Sequence, residues 1–440
     1  MKNENLKNIA EKFVEKSKKL GASECQVSIG SGTNFEVQIL NQEIEKLNQA
    51  GSKSIAFKVI VDSKVAHASS SDFSEGTLDK LLENAIARAK LTSADPFSAL
   101  PEFEKIAVDV DSLKLFDQHI VELDAEKKIA VAKEIEKIGL ANNQIKVSNG
   151  GSYSTTYGET AMANTNGFSG SYQYTYCSAG GGFQSGDGDN LVEDYWYETS
   201  LNLAGMKSAQ EIADIAVKRV IRMIGGQKVQ SQVVPVVFEP SMTSMLLGFL
   251  ASCINGGSIY MKRSFLTGKL GEQIAGANIN IFDNGLLPGK LGTKPFDAEG
   301  VPTRKTPVIE NGVLKNYLLS TYSAKKLNLK STGNASGTNN FYLESGKYSP
   351  EEIIKSVKNG LLLTRTIGQG TMPTTGDISK GAYGIWIENG ELTKPVSEIT
   401  FSGNLADMLK NISMIGNDND FRRGISGPTI KIDNVSLSGS

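Results

Sequence analysis

The sequence predicts a multi-domain α+β protein built mainly on antiparallel sheets. Three observations carry this. Strand-like and helix-like stretches come in clusters, without the sustained alternation a parallel α/β sheet would need. Hairpin signals dominate the connections. Asn311-Gly312 and Asn389-Gly390 each sit between apolar alternating runs, and Asn-Gly suits the positive-φ positions of a type I′ turn. Third, at 440 residues the chain exceeds the roughly 250–300 residues at which a single core stops growing. Three units follow, spanning 1–100, 101–230 and 231–440.

The first unit opens with a helix, since Leu6, Ile9, Ala10, Phe13 and Val14 recur at three- and four-residue steps and Leu20 closes the stripe before Gly21. Strands are expected at 25–29, 35–40 and 54–61, then a helix over 77–91 with Leu78, Leu81, Leu82, Ala85, Ile86 and Ala89 on one face. Pro96 and Pro101 bracket the first boundary. The second unit starts with a helix over 124–140. A Gly/Ser/Tyr-rich stretch, 148–200, follows. Tyr172, Tyr174 and Tyr176 alternate with polar residues, the period of a half-exposed strand, so this stretch reads as an antiparallel meander. Ser208 and Glu211 form a capping box, in which each side chain can satisfy the other's free backbone N–H. Gly225-Gly226 stops that helix. The third unit begins with the apolar strand 233–238, followed by a helix from Pro240 and Ser241 that holds Met242, Met245, Leu246, Phe249 and Leu250. Ser349-Pro350-Glu351-Glu352 starts another helix, with Asn359-Gly360 as its stop. Two final strands, 429–432 and 435–437, flank Asp433-Asn434.

Composition excludes several functions. With 46 basic and 48 acidic residues the net charge is −2, too balanced for a sequence-independent grip on nucleic acid. The longest mostly apolar stretch, 245–254, falls short of the ~20 residues a membrane span needs. The N-terminus lacks the apolar region of a signal peptide. Cys25, Cys177 and Cys253 are odd in number and far apart, so a disulfide framework is not expected and a reducing cytoplasm fits.

A search for self-contained chemistry returns nothing. A His-Glu-x-x-His zinc helix needs two histidines one turn apart, and the chain has only His67 and His119. Asp187-Gly188-Asp189 and Asp418-Asn419-Asp420 resemble calcium loops, but place Leu191 and Arg422 at the third ligand position and read as polar loops. Ser323 and Lys326 match Ser-x-x-Lys without its companion motifs. Cys253 on its apolar helix reads as a small core residue.

The last two hundred residues carry a resemblance. Pro295-Phe296-Asp297-Ala298-Glu299-Gly300-Val301, Lys330-Ser331-Thr332-Gly333-Asn334-Ala335 and Gly376-Asp377-Ile378-Ser379-Lys380-Gly381-Ala382 appear in this order. Gly384-Ile385-Trp386-Ile387-Glu388-Asn389-Gly390 and Gly403-Asn404-Leu405-Ala406-Asp407-Met408-Leu409 follow. These strings resemble the PmbA (TldE) branch of the TldD/PmbA family, also called modulators of DNA gyrase. The resemblance implies an N-terminal α/β domain, a middle domain and a β-rich C-terminal domain. It also implies a partner. In this family a TldD-like subunit carries zinc on a His-Glu-x-x-x-His helix and pairs with a PmbA-like subunit as a cytoplasmic peptidase of unfolded peptides. That helix aligns with 243–252 here, which hold neither His nor Glu. The additional thiolate ligand aligns near Gly416-Asn417-Asp418, with no cysteine.

The resemblance therefore implies a non-catalytic subunit with no catalytic or metal-binding residue of its own, zinc being expected in the TldD-like partner. Asn417 and Asp418 are the candidate peptide-binding residues. The alternatives are a stand-alone peptidase with an unrecognised site, as a homodimer, and a protein-binding regulator of gyrase.

Overall fold

A computed structural model describes residues 5–188 and 191–439. Asp189 of the first acidic triplet, and residues 1–4, lie outside them. Helix α1 (Leu6–Lys19) buries the stripe read from the sequence, and the Asn5 side chain accepts a hydrogen bond from the Lys7 N–H at 2.8 Å. One long strand, β1 (Glu24–Leu40), spans the two segments expected at 25–29 and 35–40. The glycines between them are not a break. A Cβ at Gly32 would lie 2.4 Å from the Tyr157 carbonyl oxygen of the neighbouring strand, so glycine allows the close approach. Strands β2 (Glu43–Val61) and β3 (Lys64–Ser70) follow, then α2 (Glu75–Leu91). Their turns, Asn41-Gln42 and Asp62-Ser63, have φ of 52°, 63°, 48° and 62° without an Asn-Gly signal.

After the short α3 (Gln118–Val121) comes α4 (Ala125–Leu140), then the expected meander: β4 (Val147–Asn164), β5 (Ser169–Ser185) and β6 (Val192–Ser200). β1 pairs antiparallel with β4 from Gln26–Asn164 to Ile39–Gly151. Strands from both sides of residue 100 thus form one six-stranded sheet, in the order β3-β2-β1-β4-β5-β6. Helices α4 and α5 (Ala209–Ile221) cover part of it, and the Ser208–Glu211 capping box is present in both directions. Glu136 of α4 is fully buried and fastens the β1–β2 turn, accepting from the Asn41 N–H at 3.0 Å, the Gln42 N–H at 2.7 Å and Gln42 Nε2 at 2.9 Å.

Close packing of α4 on β4 depends on a missing side chain. A Cβ at Gly151 would lie 2.1 Å from the Ala132 carbonyl oxygen. Gly151→Ala should therefore cost about 2 kcal/mol by overpacking, read as a lower urea midpoint at unchanged slope. An unchanged midpoint would show that helix and sheet can separate without strain.

The C-terminal part opens with β7 (Gln232–Phe238), α6 (Pro240–Ile254) and α7 (Gly256–Tyr260). Next come β8 (Ile281–Asn284), β9 (Lys305–Glu310), β10 (Val313–Leu314), α8 (Thr321–Leu327) and β11 (Asn340–Leu343). Then α9 (Pro350–Lys355), β12 (Asn359–Ile367), β13 (Thr371–Met372), β14 (Asp377–Glu388) and β15 (Glu391–Asn404) follow. The chain finishes with α10 (Leu405–Lys410), β16 (Ile412–Ile415), β17 (Ile425–Ser426) and β18 (Ile430–Ser438).

β12, β7, β18, β15 and β14 pair in that order, and β12 pairs back onto β14. The result is a small closed barrel, parallel only at β12–β7. A second sheet runs β10-β9-β8-β11-β17. The α6 side chains Leu246, Phe249, Leu250 and Ile254 join both into one core. Asn311-Gly312 and Asn389-Gly390 have φ of 49°, 79°, 50° and 82°, as Asn-Gly turns require.

Two sequence expectations are corrected here. Asn359-Gly360 does not end α9, which stops at Lys355, but opens β12. Gly360 is there because a Cβ would lie 2.4 Å from the Pro235 carbonyl oxygen on β7. The two strands expected at 429–432 and 435–437 are one, β18, which begins at Ile430, with a register shift between Ile432 and Val435 where Asn434 takes φ of 60°.

Candidate functional site

The site forms where β6 meets the start of α6 and the loop 416–427. Pro240 in the first turn fits the helix start. Glu239, at the N-cap, does not cap with its side chain. Its carboxylate instead bridges to α5, reaching Arg219 at 3.5 Å and Arg222 Nη2 at 3.0 Å. Asp194 on β6 takes the other side of Arg219 at 3.1 Å. This alternation of buried charges ties three elements together.

The loop has a root and a tip. At the root, Gly416 N–H donates to the Thr429 carbonyl at 2.7 Å, and the Asn417 N–H to the Tyr348 carbonyl at 2.9 Å. Asp418 accepts from the Thr429 N–H at 2.8 Å and from Thr429 Oγ1 at 2.7 Å. The candidate Asp418 therefore fastens the loop, and the Asn417 residue beside it is exposed. At the tip, Arg422 lies over the Trp196 ring at 3.6 Å and is bonded to Asp420. Arg423 lies over Tyr197 at 5.4 Å. Arg365 from β12 donates to the Glu193 carbonyl and stacks on Tyr383 at 4.8 Å. Arg422 also reaches the Tyr197 carbonyl at 3.4 Å, so arginines cover the open edge of β6, where unpaired backbone would otherwise invite another strand.

These arginines and Trp196 were not among the sequence candidates. The available signal was Phe421-Arg422-Arg423, a basic pair directly after the acidic triplet, which counted only as a mismatch to a calcium loop. The other candidates stay apart. Ser323 Oγ accepts the Ser320 N–H at 3.0 Å as a helix cap, while Lys326 turns to Asp95 at 3.9 Å and to the Phe97 ring. His119 pairs with Asp117 at 2.8 Å on α3, and His67 lies on β3. All three cysteines are free and buried. Burial pushes the thiols of Cys25 and Cys253 up to about 11 and that of Cys177 to about 12, so none is a thiolate at neutral pH.

The α6 face against the loop is hydroxyl and hydrocarbon. Thr243 and Leu247 pack on Gly427, where a Cβ would meet Thr243 Cγ2 at 2.5 Å. The α+β fold, with mostly antiparallel sheets and a small closed barrel, is that of a metallopeptidase family. Family models described as PmbA/TldA metallopeptidase domain 1, central domain and C-terminal domain match residues 25–89, 118–224 and 231–439.

The chain belongs to the PmbA/TldD metallopeptidase family. It is 34% identical to the metalloprotease PmbA homolog of Haemophilus influenzae over 97% of this chain and 94% of that one. It is 32% identical to the metalloprotease PmbA of Escherichia coli, over 94% and 92% of the two chains. A Bacteroides thetaiotaomicron crystal structure, provisionally described as a modulator of DNA gyrase, superposes with a TM-score of 0.93 at 29% identity over the whole of both chains. TldE of Thermococcus kodakarensis shares the fold, with a TM-score of 0.88 at 22% identity over 98% and 99% of the chains.

The metal implied by the family description does not fit the described residues. No three His, Cys, Asp or Glu side chains among them converge on one point, and a catalytic zinc needs about three protein ligands. Along the described residues, no helix is long and apolar enough to cross a membrane.

Proposed function

We propose that this chain is the PmbA/TldE-type, non-catalytic subunit of a TldD/TldE-like metallopeptidase complex in the cytoplasm that degrades or matures unfolded peptides. The observation that carries this reading is the donor set at α6. Helix α6 packs Thr243 and Leu247 against Gly427 of the 416–427 loop, and over 243–252, the stretch that the resemblance aligns with the zinc helix, it holds neither His nor Glu. The role left to the chain is to shape the peptide's path and exclude folded proteins. Residues 43–54 of β2 pair only with β1 and are largely exposed, an open edge on which extended backbone can align with little side-chain selectivity. Asn417, exposed at the root of the loop whose tip meets β6 and not at this edge, is a separate candidate polar contact for peptide, and Asp418 fastens the loop next to it.

The test is cleavage of unfolded casein by the chain alone, by a TldD-like protein bearing the His-Glu-x-x-x-His helix, and by the two mixed. Mixing should raise chelator-sensitive cleavage at least tenfold, about 1.4 kcal/mol in barrier, while the chain alone stays inactive and metal-free. Cleavage unchanged by the chain overturns the subunit role. Stoichiometric metal and chelator-sensitive cleavage by the chain alone would make it a peptidase in its own right.

A further inference from the structure

The cleft at the start of α6 carries more positive charge than its own carboxylates neutralise. Arg219, Arg365, Arg422 and Arg423 line one space of about 130 Å³. Arg219 is held by Asp194 and Glu239, and Arg422 by Asp420. Among the described residues neither Arg365 nor Arg423 has a carboxylate partner. Their contacts are a carbonyl oxygen and two tyrosine rings. Unpartnered polar atoms gather here as well. Arg423 Nε and Ser241 Oγ, on the first turn of α6, both belong to residues lining the cleft and are shielded from solvent without a hydrogen-bond partner. Such atoms are costly to bury unless something completes them. Beside the cleft, and sharing Asp194, Thr364 and Arg365 with it, lies a pocket of about 350 Å³ walled by Leu191, Val192, Met223 and Tyr383.

We infer that this cleft is a carboxylate-binding subsite for peptides, with Arg365 and Arg423 as the anion's partners and the Met223–Tyr383 pocket taking an adjacent apolar side chain. The inference rests on the peptide-handling role proposed above and names the feature of the peptide that is read. A guanidinium matches a carboxylate through paired parallel N–H···O bonds, which a lysine cannot copy. The small volume beside the arginines suits one carboxylate and little more. Two sources present that group: a free C-terminus, or an Asp or Glu side chain.

The chain alone reports on this binding. It has two tryptophans. Trp386 is 4% exposed in the C-terminal core, whereas Trp196 lies directly under Arg422. Three apolar hexapeptides would be titrated against tryptophan fluorescence: one with a free C-terminal carboxylate, its C-terminal amide, and the amide with one internal Glu. A saturable response to a carboxylate-bearing peptide and none to the neutral amide is expected. Whichever of the two acidic peptides binds identifies the source. Arg423→Gln and Arg365→Gln should each weaken binding about tenfold, with Arg423→Lys in between and circular dichroism unchanged. Equal binding of the neutral amide, no response to any peptide, or wild-type affinity in both Gln variants overturns the subsite. Because no partner is present, the subunit role is judged separately. Partner-dependent cleavage without carboxylate preference defeats only the subsite, and carboxylate binding without stimulated cleavage defeats only the subunit role.

Discussion

Replacing Asp283 by alanine should destabilise the protein by about 4 kcal/mol, as expected when a buried carboxylate is removed from fixed donors. Asp283 on β8 is fully buried. It accepts from Asn334 Nδ2, the Asn339 N–H and Asn339 Nδ2, each at 2.7 Å. Burial pushes its carboxyl above the usual carboxylate range, while the bonds from Asn334 and Asn339 draw it back. Alanine would leave the Asn339 N–H and Nδ2 without their acceptor in a dry interior, and Asn334 Nδ2 with only the Gly337 carbonyl, at 3.0 Å. Asp297, 2% exposed, does parallel work, accepting from the Glu299 N–H at 2.9 Å, the Val301 N–H at 3.0 Å and the Ala335 N–H at 2.9 Å. The two aspartates stitch the 297–301 loop and the 334–339 loop to the five-stranded sheet. Asp283→Asn should cost less, since it keeps one acceptor oxygen but turns an NH₂ toward the donors. Urea unfolding of both variants decides the matter. An Asp283→Ala loss below about 1 kcal/mol would mean that the loop refolds around other partners.

Glu239→Gln should cost about 3 kcal/mol, because it leaves two largely buried guanidinium groups sharing fewer acceptors. Arg219 and Arg222 side chains are 14% and 19% exposed, and the Nε of each already lacks a partner. Removing the charge between them turns an alternating clamp into neighbouring cations. The effect should also reach the cleft, since Arg219 lies over the Trp196 ring at 5.7 Å. Unfolding followed by tryptophan fluorescence should then begin before unfolding followed by circular dichroism. Coincident transitions at the wild-type midpoint would show the clamp to be dispensable. Glu239→Asp keeps the charge on a shorter arm and should recover part of the loss.

The strings that carry the family resemblance take on physical meaning at this point. Asp297, Glu299 and Asn334 lie in them and serve as fasteners. Glu299 accepts from the Thr321 N–H at 2.8 Å and stands 3.7 Å from Lys58 of β2. Many side chains of these strings thus have fixed internal partners, and Ala298, Glu299 and Ala335 also line an open pocket of about 680 Å³ beside Lys58 and His67.

Much of the local structure was legible in the sequence. The α1 stripe, the Ser208–Glu211 capping box, the helix start at Ser349-Pro350, the two Asn-Gly turns and the tyrosine meander are all present. Each depends on residues within a few positions of one another, where periodicity and turn chemistry act directly. The misread Gly360 shows the limit of that rule. Asn359-Gly360 reads as a helix stop and Gly32 falls between two expected strands, because glycine is permissive at turns. Here they sit within strands, because Tyr157 and Pro235, distant in sequence, come too close for a side chain. Likewise, nothing near Arg422 announces Trp196.

By itself, the sequence determined the fold class, the helix faces and most of their ends, the absence of a histidine zinc helix, and the kinship. Tertiary structure alone decided that β1 and β4 make one sheet across residue 100, and that β12 closes a barrel onto β14. It also decided that Asp283 is an internal fastener and that Arg365 and Arg423 face one cleft with no carboxylate partner among the described residues. These pairings reach as far along the chain as from Gln26 to Asn164, set by which apolar faces bury together and by which charges are then left facing one another. No spacing along the chain encodes that choice, because it is made only when the cores condense.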